Sequence, residues 1–291
     1  MQTLLVLTDL TENSANAYQY AVQLAGQVQA TIKLVYSTNG IALSLPNHLQ
    51  QAQKLQSFAN RYVCFSGTEG SNLQPECLIA NDPWPEALPL LVNVHQPDLI
   101  IAGSGLLDQL EVQGKTLALE LLEQYPLLWI PEKANYQTIR NLAFITDFTD
   151  QDPGTIEQVK RFAGIFKAEV SLLHFYAPKD RAKVPQIKKE GDLLHRYITP
   201  AGTPYFLKEE ENLVKGLDEF IQDNPIDLFV VATRDTYLAN QYLKSDYSQY
   251  LACNHTIPLL NLYQAKKKSC AGNCSFCKKQ HAAAEPVTIQ L

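Results

Sequence analysis

The chain repeats itself. Residues 3–37 (TLLVLTDLTENSANAYQYAVQLAGQVQATIKLVYS) lie over residues 141–175 (NLAFITDFTDQDPGTIEQVKRFAGIFKAEVSLLHF) without a gap. The alignment pairs Thr8-Asp9 with Thr146-Asp147, Ala25-Gly26 with Ala163-Gly164, and Ala30 with Ala168. Further on, PDLIIAGS (97–104) matches IDLFVVAT (226–233), and PLLWI (126–130) matches PLLNL (258–262). The same order in both halves points to duplication of a whole domain rather than stacking of a short solenoid unit. The expected boundaries are 1–136 and 137–265, followed by a tail over 266–291. A length of 291 residues suits two domains, each with its own core.

Each half alternates strand and helix signals. LLVLTD and LAFITD are short apolar runs that end in a polar turn, as expected of a strand buried on both faces. A helix follows each, with Ser14 and Asp152 as expected N-caps and Pro153 at a first helical position. Ala21, Leu24, Ala25 and Val28 form one apolar stripe, and Val159, Phe162, Ala163 and Phe166 form its counterpart. The strands TIKLVYS and EVSLLHFY come next, then a looser segment. A helix around Glu86–His95 leads into LIIAGS, one around Asn212–Gln222 leads into LFVVAT, and a last helix and a PLL strand close each half. This order predicts an α/β fold of two tandem, doubly wound, mainly parallel domains. Ligands in such sheets sit beyond the carboxyl ends of the strands, where Asp9 and Gly103-Ser104-Gly105 fall.

These features together resemble the universal stress protein family. The resemblance rests on the TD-x-(T/S) strand end, the helix ending in LAG or FAG, the DL-(I/F)-(I/V)-x-(G/A)-(S/T) strand and the last PLL strand. It covers about residues 1–265 in two copies. It implies five-stranded, nucleotide-binding-like domains that associate through their last strands, here Leu127–Ile130 and Leu259–Leu262, with a homodimer as a further possibility. It also implies a site for ATP in some members. There an aspartate at the end of strand one lies near the adenine, and a G-x2-G-x9-G-(S/T) loop takes the ribose and phosphates. Asp9 and Asp147 match the aspartate. In the first half Gly103, Ser104 and Gly105 fit the start of the loop, but Leu106 replaces its second glycine. Gly114 lies near the third, with Lys115 at the hydroxyl position when the glycines are aligned, whereas alignment from Pro126 places Gln113 and Gly114 there. A lysine can meet a phosphate as a point charge, so the first half is expected to bind ATP weakly at most. The second half reads Ala232-Thr233-Arg234-Asp235, with Ser245-Asp246 for Gly-Ser, a set poorly suited to phosphate. Without a ligand, Asp9 and Asp147 read as turn-forming carboxylates and Gly103 and Gly105 as a tight turn.

A formal net charge of −6 argues against a nucleic-acid partner. No apolar run approaches the length that spans a bilayer, and Asp9 interrupts the N-terminal run with no basic residue before it, so the expected location is the cytoplasm. There is no intact Walker loop, G-x-S-x-G elbow or H-E-x-x-H helix, and no enzymatic activity is expected, slow ATP hydrolysis aside. His174 reads as a packed imidazole, His95 as a helix-end residue, and Cys64, Cys77 and Cys253 as isolated thiols.

The tail departs from this pattern. Cys270, Cys274 and Cys277 have C-x3-C-x2-C spacing, and His281 follows. Three readings stand: a Cys3His zinc site, a cysteine-ligated iron–sulfur cluster, or a redox pair such as Cys274–Cys277. A basic extension without a fixed ligand is the alternative. The expected function is that of a stress protein acting by binding and interaction. Its rivals are an ATP-binding switch in the first half and a metal- or redox-responsive tail.

Overall fold

The short apolar runs of both halves become strands of one sheet. The computed structural model describes residues 1–63, 74–106, 125–146, 153–198, 205–232 and 256–262. In the first half, β1 (Thr3–Thr8), α1 (Glu12–Val28), β2 (Thr31–Ser37), α2 (Leu45–Val63), β3 (Glu76–Ala80), α3 (Trp84–His95), β4 (Leu99–Gly103) and β5 (Leu127–Ile130) follow in order. The second half runs β6 (Asn141–Ile145), α4 (Pro153–Phe166), β7 (Glu169–Tyr176) and a 3-10 turn (Pro178–Lys183). It continues through α5 (Val184–Ile198), β8 (Tyr205–Glu209), α6 (Leu213–Asp223), β9 (Leu228–Ala232) and β10 (Leu259–Leu262). The strand order is β3-β2-β1-β4-β5-β10-β9-β6-β7-β8, a ten-stranded sheet. Every neighbouring pair is parallel except β5 with β10, where Trp129 faces Leu259 and Leu127 faces Asn261 in antiparallel register. The two five-stranded halves thus share one sheet rather than standing as separate ones.

Alternation along the strands splits the core in two. Leu4 and Val6 face α1 and α2, and Phe144 and Leu172 extend that layer under α4 and α5. Leu5, Leu7, Ile145 and Leu173 face the other layer, with Trp84 and Leu88 of α3 and Leu217 and Phe220 of α6. Tyr18, Ala21, Leu24 and Ala25 of α1 are fully or almost fully buried, and each large apolar side chain removed from water in this way contributes about 1.5–3 kcal/mol.

The duplication extends to the hydrogen bonds. The Asp98 carboxylate accepts from the N–H groups of Gln2 and Thr3 at 2.7 and 3.2 Å, and Asp227 does the same for Arg140 and Asn141 at 2.9 Å each. Thr31 N–H donates to Gln2 O, and its counterpart Glu169 N–H donates to Arg140 O, both at 2.7 Å. The helices also end alike, with Gln29 and Lys167 left-handed at φ 54° and 55°.

Three expectations need correction. Thr11, not Ser14, is the N-cap of α1: its hydroxyl accepts from Ser14 N–H, and Ser14 is buried inside the first turn. Gly26 and Gly164 do not end their helices, which run on to Val28 and Phe166; the terminating left-handed residues are Gln29 and Lys167. The segments read as loose contain α2 and α5, with edge strands β3 and β8 after them. Only Leu55, Phe58 and Ala59 of α2 are buried, too narrow a stripe to announce the helix in a glutamine-rich stretch. The closing helix of each half falls outside the described residues.

At the β5–β10 seam, Trp129 Nε1 and both polar atoms of the Asn261 side chain are buried and find no hydrogen-bond partner among the described residues. A buried amide without a partner costs about 1–3 kcal/mol. Asn261→Val, which keeps a strand-favouring side chain and removes the amide, is therefore expected to raise stability by about 1–2 kcal/mol in urea unfolding monitored by circular dichroism. A loss of stability would mean that the amide is satisfied in solution.

Candidate functional site

The polar candidates of the first half converge where β1 and β4 end. Thr8 is buried, and its Oγ1 accepts from Leu10 N–H at 3.0 Å, which bends the chain so that Leu10 takes the left-handed conformation at φ 65°. That conformation costs a residue with a Cβ roughly 1–2 kcal/mol, and the hydrogen bonds of the turn offset it. Asp9 then turns back over the start of α1. Its Oδ1 accepts from Thr11 N–H at 3.0 Å, from Thr11 Oγ1 at 2.6 Å and from the Ser14 hydroxyl, while Asp9 N–H donates to Ser14 Oγ at 3.2 Å. Its Oδ2 is buried and has no donor among the described residues. Burial pushes the Asp9 carboxyl up, but the hydrogen bonds from Ser14 and Thr11 together outweigh it and hold the group below its ordinary value.

The glycines serve a close approach. A Cβ on Gly103 would overlap Asn13 Oδ1 and come within 3.1 Å of the Asn13 carbonyl oxygen, and one on Gly105 would lie 3.1 Å from Asn13 Cγ. The first turn of α1 packs directly onto the end of β4. Asn13 uses that proximity fully: its Oδ1 accepts from Gly105 N–H at 3.1 Å, and its Nδ2 donates to Ser104 Oγ at 3.3 Å. Ser104 is buried. In the second half Ala232 holds the position of Gly103 and carries a Cβ.

The structure therefore brings Asp9, Gly103, Ser104 and Gly105 to one strand end, with Asn13 between the aspartate and the loop. Sequence reasoning missed Asn13, because its repeat counterpart is Gln151 and nothing in the spacing marked it. Gly114, Lys115 and Asp147 lie outside the described residues. So do Cys270, Cys274, Cys277 and His281, as well as Cys64 and Cys253. Among the described residues no group of three or more His, Cys, Asp or Glu could hold a metal ion, and no helix is long and apolar enough to cross a membrane. His174 Nδ1 lies 2.7 Å from the Thr146 carbonyl oxygen, which fixes the ring with its proton on that nitrogen. Cys77 is half-buried, and burial pushes its thiol up, away from the reactive thiolate.

No family model matches the chain, and no curated protein matches it. Solved structures do. A universal stress protein from Archaeoglobus fulgidus DSM 4304 superposes with a TM-score of 0.59 at 13% identity, over 90% of this chain and 98% of that one. A functionally unknown protein from Pseudomonas aeruginosa PAO1 superposes with a TM-score of 0.53 at 13% identity, over 90% of this chain and 92% of that one. Another Pseudomonas aeruginosa structure, from UCBPP-PA14, gives 0.53 at 14%, over 90% and 93%. At this identity the likeness establishes the fold: a doubly wound α/β architecture of the universal stress protein kind.

The depressed Asp9 carboxyl ties stability to pH. A group whose folded value lies below its unfolded one stabilises the fold fully above about pH 4, and that contribution disappears as pH falls through the folded value. Asp9→Asn is expected to cost about 1 kcal/mol at neutral pH, with the difference from the unaltered chain shrinking below pH 4 as Asp9 itself becomes neutral. Urea melts from pH 7 to pH 2.5 check this; a constant difference would contradict it.

Proposed function

We propose that this chain is a stress-response protein of the universal stress kind that acts by binding and interaction, with weak adenine-nucleotide binding confined to its first half and no catalysis. One observation carries the reading. Thr11 and Ser14 take up Asp9 Oδ1, Asn13 takes up Ser104 and the Gly105 N–H, and Asp9 Oδ2 is a buried acceptor with no donor among the described residues. An unspent carboxylate oxygen beyond a parallel strand suits an amino or hydroxyl donor of a nucleoside. A phosphate would need the backbone N–H of Gly105, and Asn13 already occupies it. A nucleotide must displace that side chain, so affinity is low.

Titrating ATP into the full chain by isothermal titration calorimetry, with nucleotide analysis of the mixture afterwards, tests this directly. Saturable binding with a Kd at or above about 0.1 mM is expected, lost in Asp9→Ala, with no ADP formed. Micromolar affinity with ADP release would overturn the reading in favour of an ATP-driven switch. No saturable binding at all would remove the nucleotide from it.

A further inference from the structure

The two corners built by Asp98 and Asp227 are alike in backbone and unlike in what meets the carboxylate. Each aspartate precedes a strand and uses Oδ2 to accept from the first N–H groups of its half. At Asp98 the other oxygen, Oδ1, takes an ion pair from the guanidinium of Arg161, which reaches across from α4 in the opposite half. The repeat places Gln23 of α1 where Arg161 stands, so the residue that pairs with Asp98 has no charged counterpart for Asp227. Asp227 forms no ion pair among the described residues, and no lysine or arginine lines the space beside it.

That space is a cavity of about 320 Å³, bounded by Tyr20, Asn135, Gln137, Asp227 and Thr256, with an apolar wall that includes Ile221 and Ile226. Its volume lies at the lower end of the range for small-ligand sites, about 300–1,000 Å³. Tyr20 is buried, and its hydroxyl is pushed well up by burial, by the neighbouring Tyr136 and by the charge of Asp227, so it stays a neutral donor and acceptor beside the carboxylate. The Asn135 and Gln137 side chains come from the connection between the halves and add amide groups. One carboxylate, a phenol, two amides, a hydroxyl and an apolar wall complement a small monocation with a short hydrocarbon stem.

We propose that the cavity beside Asp227 binds a small organic cation, a guanidinium or primary ammonium on an aliphatic chain, which takes at Asp227 the place that Arg161 takes at Asp98. The carboxylate supplies a charge-assisted acceptor that a planar guanidinium can share with the Tyr20 oxygen and the Asn135 and Gln137 carbonyls. The stem lies against Ile221 and Ile226. The site lies before β9, is lined by none of Asp9, Asn13, Ser104 and Gly105, and does not depend on nucleotide binding.

The probe is n-butylguanidinium, titrated into the full chain by ligand-observed saturation-transfer NMR, with n-butylammonium as a second cation and butyrate as the anionic control. Saturable binding of the two cations and none of butyrate is expected. Asp227→Asn keeps an oxygen for the N–H groups of Arg140 and Asn141 and removes the charge, so it should weaken butylguanidinium at least about tenfold. Thr256→Trp, which fills the cavity without touching the carboxylate, should abolish binding even if Asp227→Asn does not fold. Equal binding of butyrate, no saturable binding of either cation, or unchanged affinity in the filled variant would each overturn the proposal.

Discussion

Strand β5 is four residues long and buried on both faces, and such a strand cannot serve as an edge. Its outward N–H and C=O groups would stand unpaired beside an apolar surface, a template for indiscriminate strand addition. Strand β10 has the same problem. Each solves the other's through the antiparallel pair that joins Leu127–Ile130 to Leu259–Leu262, and everything else in the architecture follows from that junction. It sends the sheet's true edges out to β3 and β8, which are only partly buried and carry Glu76, Lys208 and Glu209. Charged side chains are suited to an edge that must not recruit another strand.

The antiparallel junction also turns the second half end over end. The carboxyl ends of the first-half strands and the amino ends of the second-half strands lie at the same end of the sheet. A short connection from Pro131 to Arg140 therefore suffices between β5 and β6. Asn16 of α1 holds it, donating through Nδ2 to the carbonyl oxygens of Pro131 and Glu132 at 3.1 Å each, and Tyr136 packs edge-on against Tyr20. Backbone contacts imposed by the fold stay duplicated, as at Asp98 and Asp227, while the side chains that answer them do not. Asn13 closes one strand end, where the repeat carries Gln151; Arg161 pairs with Asp98, while Gln23 stands at its repeat position and Asp227 has no ion pair among the described residues.

Much of this was legible in the sequence, for a physical reason. Strands buried on both faces must be apolar throughout, so LLVLT, LIIAG and LFVVA announce themselves, and a helix packed on the sheet needs a continuous stripe such as Val159, Phe162, Ala163 and Phe166. All four of those residues are buried. Elements at the sheet's margin obey weaker constraints. β3 and β8 bury little, and α2 lies over the edge with Leu45 and Leu49 exposed, so their sequences carry no clear period. The helix start was misread because Ser14 has the chemistry of a cap but spends it on Asp9, and the helix ends because Gly26 and Gly164 sit just short of the residues that turn. At the candidate site the aspartate and the glycine loop were visible as residues. Their closure by Asn13 was not, because it depends on α1 and β4 meeting across about ninety residues of chain, and only the fold creates that meeting.

Amide hydrogen exchange followed by NMR tests directly whether the β5–β10 pair holds the two halves as one sheet. The amides of β5 and β10 that bond across the seam should exchange as slowly as those of β1 and β6, through global unfolding, and destabilising either half should speed all of them together. Seam amides that exchange much faster than the central strands, by a local opening that leaves β1 and β6 protected, would contradict a single shared sheet and describe two independent domains in loose contact.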